Sequence, residues 1–69
     1  MNLGERLKEL RKERNLRQED VAVEFDIALM TYYRYEQGKR EPTASVLVRM
    51  ADYYDVSVDY LLGRCDNRK

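Results

Sequence analysis

The sequence predicts an all-α domain, a compact bundle of five short helices, on three observations. Apolar residues recur three and four apart in successive short segments, and nowhere do they alternate with the period of two expected of a half-buried strand. Capping or helix-ending residues bracket these segments: Asn2 and Asn15, then Gly38 and Pro42, then Thr43, Ser57 and Gly63. The chain has 69 residues, 43% of them hydrophobic, enough apolar material for one core and one domain. A chain this small buries only about 60% of its unfolded surface.

Each element follows from its own residues. Leu3, Leu7 and Leu10 form a stripe on a charged helix spanning about Asn2 to Arg14, with Asn2 suited to the N-cap and Asn15 to the exit. A second helix, about Gln18 to Phe25, turns Val21, Ala22 and Phe25 inward. A third, about Leu29 to Gln37, turns Tyr32 and Tyr35 inward. Pro42 precedes Thr43, a natural N-cap for a fourth helix with Leu47, Met50, Ala51 and Tyr54 as its stripe. Ser57 caps a last short helix with Val58, Leu61 and Leu62 facing inward, ended by Gly63. Tyr32, Tyr35 and Tyr54 read as core with hydroxyls reaching the surface, and Tyr33 and Tyr53 as exposed. The domain therefore spans residues 1–63, and 64–69 form a short polar tail.

Helices two and three, joined by a three- or four-residue turn and followed by Gly38-Lys39-Arg40-Glu41-Pro42, have the layout of a helix-turn-helix. A helix advances about 100° per residue, so with Tyr32 inward, Tyr35 and Glu36 lie within about 60° of it. Met30, Tyr33, Arg34 and Gln37 then face the opposite side, with Leu29 and Thr31 flanking the helix start. In such a motif the start of the second helix meets base edges. Leu29, Met30, Tyr33 and Arg34 are accordingly the candidate base readers. Arg34 has the fork geometry for guanine O6 and N7, and Leu29 or Met30 suits a thymine methyl.

These residues resemble the Cro/C1-type (Xre-like) helix-turn-helix repressors, over about Leu3 to Gly63. The resemblance implies the lambda-repressor-like bundle. It also implies double-stranded DNA as partner, a homodimer on an inverted-repeat operator, and regulation by occupying a promoter. By the same resemblance Gln18, at the start of helix two, holds a phosphate together with free backbone N–H groups, a role that helix N-termini favour. Lys39 and Arg40 match the basic loop that grips the backbone. Arg17, Thr31 and Gln37 complete the phosphate-contact candidates. Arg11 and Glu36, the latter in Tyr35-Glu36-Gln37-Gly38, match a structural ion pair between helix one and the end of helix three. The end of helix four and the last helix, around Val56, Val58, Tyr60 and Leu61, are where the resemblance places a dimer surface.

The chain departs from the family pattern at four points. Asp26 and Asp55 stand where glycine is favoured, and aspartate enters the left-handed region at modest cost. Arg17 stands where helix two usually has a polar N-cap. Ala28 replaces the Ser or Thr that caps helix three, a contact worth about 1 kcal/mol. The opening of helix three, Ala28-Leu29-Met30, is apolar where many relatives carry polar readers. That apolar opening leaves an alternative: a domain of the same fold that binds a protein through Leu29, Met30 and Tyr33.

Charge and composition narrow the function classes. Lys and Arg number 13, as do Asp and Glu, so net charge is zero. From Arg6 to Arg17, however, six basic residues face two acidic ones, and from Arg34 to Arg40 three face one. A polarised distribution of this kind offers a positive face to phosphates. The chain has no histidine, one cysteine and no glycine-rich phosphate loop, so neither catalysis, cofactor nor metal is implied. Cys65 has no internal partner, which fits a reducing cytosol. No apolar run approaches the roughly 20 residues that cross a bilayer, nor is there a signal-peptide core. The expectation is a cytoplasmic, prokaryotic regulator: a repressor, a restriction–modification controller or an antitoxin-like autoregulator.

Overall fold

One type of ending closes every helix of this domain. In the computed structural model, which describes residues 1–69, the helices are α1 (Leu3–Glu13), α2 (Gln18–Glu24), α3 (Leu29–Glu36), α4 (Ala44–Tyr54) and α5 (Val58–Leu61), with no strand. After each helix one residue turns left-handed: Asn15, Asp26, Gly38, Asp55 and Gly63, with φ between 54° and 78°. The next N–H reaches back across the turn to a carbonyl of the last helical turn. These bonds are Leu16 to Arg11 (3.1 Å), Ile27 to Ala22 (3.0 Å), Lys39 to Arg34 (2.9 Å), Val56 to Ala51 (2.9 Å) and Arg64 to Asp59 (2.9 Å). This is the Schellman arrangement, which satisfies carbonyls that a helix end leaves open. Asn15, Asp26 and Asp55 serve because short polar side chains tolerate the left-handed region. The residues that follow them, Leu16, Ile27 and Val56, pack on the core. The reversals thus place the next helix and contribute apolar surface as well.

The helix starts are less uniform. Asn2 and Glu5 form a reciprocal capping box on α1, at 2.9 and 3.0 Å. Thr43 accepts from the Val46 N–H and Ser57 from the Tyr60 N–H. On α2, Arg17 offers no capping oxygen; the Asp20 carboxylate instead accepts from the Arg17 N–H at 2.8 Å. Ala28 leaves the first N–H groups of α3 without a side-chain partner.

Helix α3 is the packing centre: α1 and α2 both lie against it, while α5 joins α1 to α4. Leu7, Val21, Tyr32, Met50 and Leu61 are completely enclosed. Four sequence expectations need correction. Leu62 is 37% exposed, because α5 ends at Leu61 and Leu62 sits on the reversal into Gly63. Val56 and Tyr60, expected on a dimer surface, are buried in the core, and Leu61 is enclosed there, in keeping with its inward-facing place in the helical stripe. Tyr53 is half-buried rather than exposed, edge-on to Phe25 with ring centres 5.3 Å apart. The hydroxyls of Tyr32 and Tyr54 do not reach the surface: the first donates to Glu36, and the second is enclosed without a partner. Burial accordingly pushes the Tyr54 phenol up to about 12.

Residues 64–69 fold back on the bundle. The Ser57 N–H bonds to the Arg68 carbonyl, the Arg68 guanidinium takes both carboxylate oxygens of Glu13, and Arg6 reaches Asp66 at 3.0 Å.

Candidate nucleic-acid interface

A single carboxylate organises the candidate interface from within. Glu36, in the last turn of α3, has a side chain only 1% exposed. It receives Arg11 of α1 through Nε (2.7 Å) and Nη2 (3.2 Å), Gln18 of α2 through Nε2 (3.2 Å), and the Tyr32 hydroxyl from one turn earlier in α3. Arg11 also donates through Nη1 to the Leu16 carbonyl in the α1–α2 turn, at 2.9 Å. Three helices and one turn therefore meet at Glu36. Burial pushes its carboxyl upward, but the hydrogen bonds from Arg11, Tyr32 and Gln18 outweigh that and hold it below the ordinary glutamate value. The same Arg11–Glu36 contact raises the already high pKa of the guanidinium.

Gly4 makes this junction possible, and sequence reading overlooked it. A Cβ at Gly4 would land on the Glu36 carbonyl oxygen and lie 3.0 Å from the Tyr35 carbonyl oxygen. Only the missing side chain lets α1 approach the end of α3 this closely. The available signal was a glycine inside an otherwise regular helical stripe, where it costs about 0.5–1 kcal/mol relative to alanine and so implies close approach.

The opposite end of α3 is open to solvent. Leu29, Met30 and Tyr33 are 49%, 55% and 42% exposed, and with Gln18 they line a shallow cleft of about 410 Å³. Gln18 thus touches both regions, its amide turned to Glu36 and its flank forming a wall of the cleft. Thr31 is half-buried; Arg34, Gln37, Lys39 and Arg40 are exposed. Gly38, with φ +73° and open space around it, turns the chain so that the basic loop follows α3 directly.

Ion pairing separates the cations. Arg34, Lys39 and Arg40 have no acidic partner, whereas Arg17 is held by Asp20 and Glu19. Before meeting a phosphate, Arg17 must leave its two hydrogen bonds to Asp20. Arg40 borders a second groove, of about 560 Å³, with Leu3, Gly4, Tyr35, Pro42, Leu47 and Leu62.

Two short helices, α2 and α3, joined by a tight turn and packed on each other, with α3 locked at its end and bare at its start, define a helix-turn-helix domain. The chain belongs to the Cro/C1-type helix-turn-helix family, whose helix-turn-helix model matches residues 7–61. It is a family of transcription regulators, not of enzymes. The chain is 45% identical over 64 residues to the HTH-type transcriptional regulator AnsR of Bacillus subtilis, covering 93% of this chain and 54% of that protein. It is 42% identical over 64 residues to the CTXphi transcriptional repressor RstR of Vibrio cholerae, covering 93% and 57%. It is 38% identical over 64 residues to the regulator ImmR of Bacillus subtilis, covering 93% and 50%. A crystal structure of a transcriptional regulator from Listeria innocua superposes with a TM-score of 0.86 at 31% identity, covering 90% of this chain and 58% of the other. The chain spans about half the length of the curated relatives it matches.

Proposed function

We propose that this chain is a sequence-specific double-stranded DNA-binding regulator, acting as a repressor from a homodimer that sets α3 into the major groove of each half of an inverted repeat. The observation that carries the reading is the contrast along α3. Its start is bare and unpaired, its far end is locked to α1 and α2, and the free cations Arg34, Lys39 and Arg40 stand on and just beyond it. Leu29, Met30, Tyr33 and Arg34 read base edges. Gln18, Lys39 and Arg40 hold phosphates with support from Thr31, Gln37 and Arg17, and these contacts set position rather than sequence. Repressor relatives support the sign of regulation, and a cytoplasmic location fits a chain in which no helix is long and apolar enough to cross a membrane.

The dimer surface lies near the end of α5. With Val56, Tyr60 and Leu61 buried, the accessible apolar residues there are Leu62 and the half-buried Val58. A dimer places two copies of α3 about 34 Å apart, one turn of DNA.

The test is selection of binding sites from a random duplex library at physiological salt. An enriched inverted repeat with half-sites about one turn apart is the expected result. Absence of enrichment would move the apolar Leu29-Met30-Tyr33 face to the competing role, contact with a partner protein.

A further inference from the structure

The larger groove lies away from the start of α3, where the start of α1, the loop after α3, the first turn of α4 and the end of α5 meet. Its volume is about 560 Å³, within the range of roughly 300–1,000 Å³ found for small-molecule sites. Leu3, Tyr35, Pro42, Leu47 and Leu62 give it an apolar lining.

The polar groups along this lining are not engaged within the protein. Tyr35 is only 6% exposed, yet its hydroxyl makes no hydrogen bond within the chain, unlike those of Tyr32 and Tyr60. Nor is that hydroxyl sealed in the core, as the unpartnered hydroxyl of Tyr54 is. Arg40 and Glu41 are exposed and take part in no ion pair. An open phenol, a free cation and a free carboxylate thus border one apolar floor. A simple carboxylic acid bound there would meet repulsion from Glu41, and a simple amine would meet it from Arg40. A ligand with both charges satisfies both residues. Arg40 and Glu41 are neighbours in the chain, which suits a free amino acid, whose two charges share one carbon, better than a peptide, whose charged ends lie apart.

The geometry points to a binding site for a free α-amino acid with a large apolar side chain. Arg40 takes the carboxylate, with the Tyr35 hydroxyl as a further donor. Glu41 takes the ammonium group, and the side chain lies on Leu3, Leu47 and Leu62. Such a ligand holds the guanidinium that is proposed above to meet a DNA phosphate. It therefore weakens DNA binding, and DNA weakens its binding by the same factor. The site stands without the DNA-binding reading; its role as an inducer site rests on that reading.

The experiment follows backbone amide shifts of the full, isotopically labelled chain, free of DNA, during titration with L-leucine and with L-phenylalanine. Saturable shifts at Leu3, Gly4, Gly38 to Glu41, Leu47 and Leu62 are expected with at least one of them, at a Kd on the order of 1 mM. The counterparts that keep one charge are 4-methylpentanoate and 3-methylbutylamine for leucine, and 3-phenylpropionate and phenethylamine for phenylalanine. They are expected to bind about fivefold more weakly, as are the parent amino acids to the exposed-site variants Arg40→Gln and Glu41→Gln. With the selected duplex, a saturating amino acid should lower DNA affinity about threefold, and Glu41→Gln should bind the duplex without that response.

Absence of saturable shifts at about ten times that concentration would overturn the site. Shifts centred on Gln18, Leu29 and Tyr33 would overturn its placement. One-charge counterparts that bind as tightly as the amino acids would overturn the ligand class. Binding in the groove with duplex affinity unchanged would overturn the inducer role alone. A chain that binds the amino acid and no duplex would remove the DNA-binding reading and leave the site standing.

Discussion

The two ends of α3 differ as much as any two regions of the molecule, though the helix has only eight residues. At its C-terminal end Glu36 takes hydrogen bonds from three side chains on three helices, and Gly4 brings the α1 backbone against the Glu36 carbonyl. At its N-terminal end Ala28 gives no cap and the Leu29 and Met30 side chains stand in solvent. The contacts that hold the fold are concentrated at one end, and the proposed recognition surface lies at the other. Substitutions at the start of the helix can then change what is recognised without disturbing the fold, and substitutions at the end do the reverse.

The largest effect is expected at the locked end. Arg11→Ala or Glu36→Ala strands the opposite charge in a buried setting and should cost about 3–5 kcal/mol of stability, measured by chemical denaturation. Glu36→Gln tests the charge more narrowly. Because the folded protein holds the Glu36 carboxyl below its ordinary value of 4.5, its contribution is fully present above that value and is lost as pH falls through the lower, folded one. Wild-type stability should therefore drop more steeply with acid below about pH 4.5 than that of Glu36→Gln. Equal slopes would show that Glu36 is not the group responsible.

Gly4→Ala comes next, at about 1–3 kcal/mol, since the added methyl group meets backbone rather than a yielding side chain. Thermal denaturation reads it directly, and an unchanged midpoint would mean that α1 shifts away from α3 without penalty. At the open end the effects should appear in binding alone. Arg34→Ala should leave stability unchanged and weaken operator binding by about 1–3 kcal/mol, relaxing preference at one base position. The smallest and least selective change is expected for Lys39→Ala. It should weaken all duplexes alike and make the dependence of log affinity on log salt shallower by about 0.9. Equal, sequence-blind losses from the two variants would reduce Arg34 to a phosphate contact.

Much of this was legible in the sequence because the signals are local. Helix ends show in Asn2, Asn15, Thr43, Ser57 and Gly63, and the left-handed aspartates follow from the chemistry of a short side chain that tolerates that region. The Leu7–Leu10 and Met50–Ala51–Tyr54 stripes mark core faces by helical period alone. What stayed hidden depends on contacts between distant residues. Gly4 looks like a flaw in α1 until the carbonyls of Tyr35 and Glu36 are placed against it. Gln18 reads as an exposed helix-start residue until its amide is found on Glu36. The mistaken readings have the same origin. Val56 and Tyr60 are apolar residues near a presumed interface, and only the folded packing of the α4–α5 reversal and of α5 shows that the core uses them; Leu62 lies one residue past the last helical one.

In the proposed complex, DNA meets the open start of α3 and the loop after it, while the Glu36 junction stays closed. Backbone amide chemical-shift mapping during titration with the selected duplex tests this most directly. Perturbations are expected at Gln18, from Leu29 to Arg34, and at Lys39 and Arg40, with the Asp52–Asp59 side of α4 and α5 unmoved apart from residues near Leu62 that respond to dimer formation. Perturbations centred on α4 and α5, with the amides from Leu29 to Arg34 silent, would contradict it.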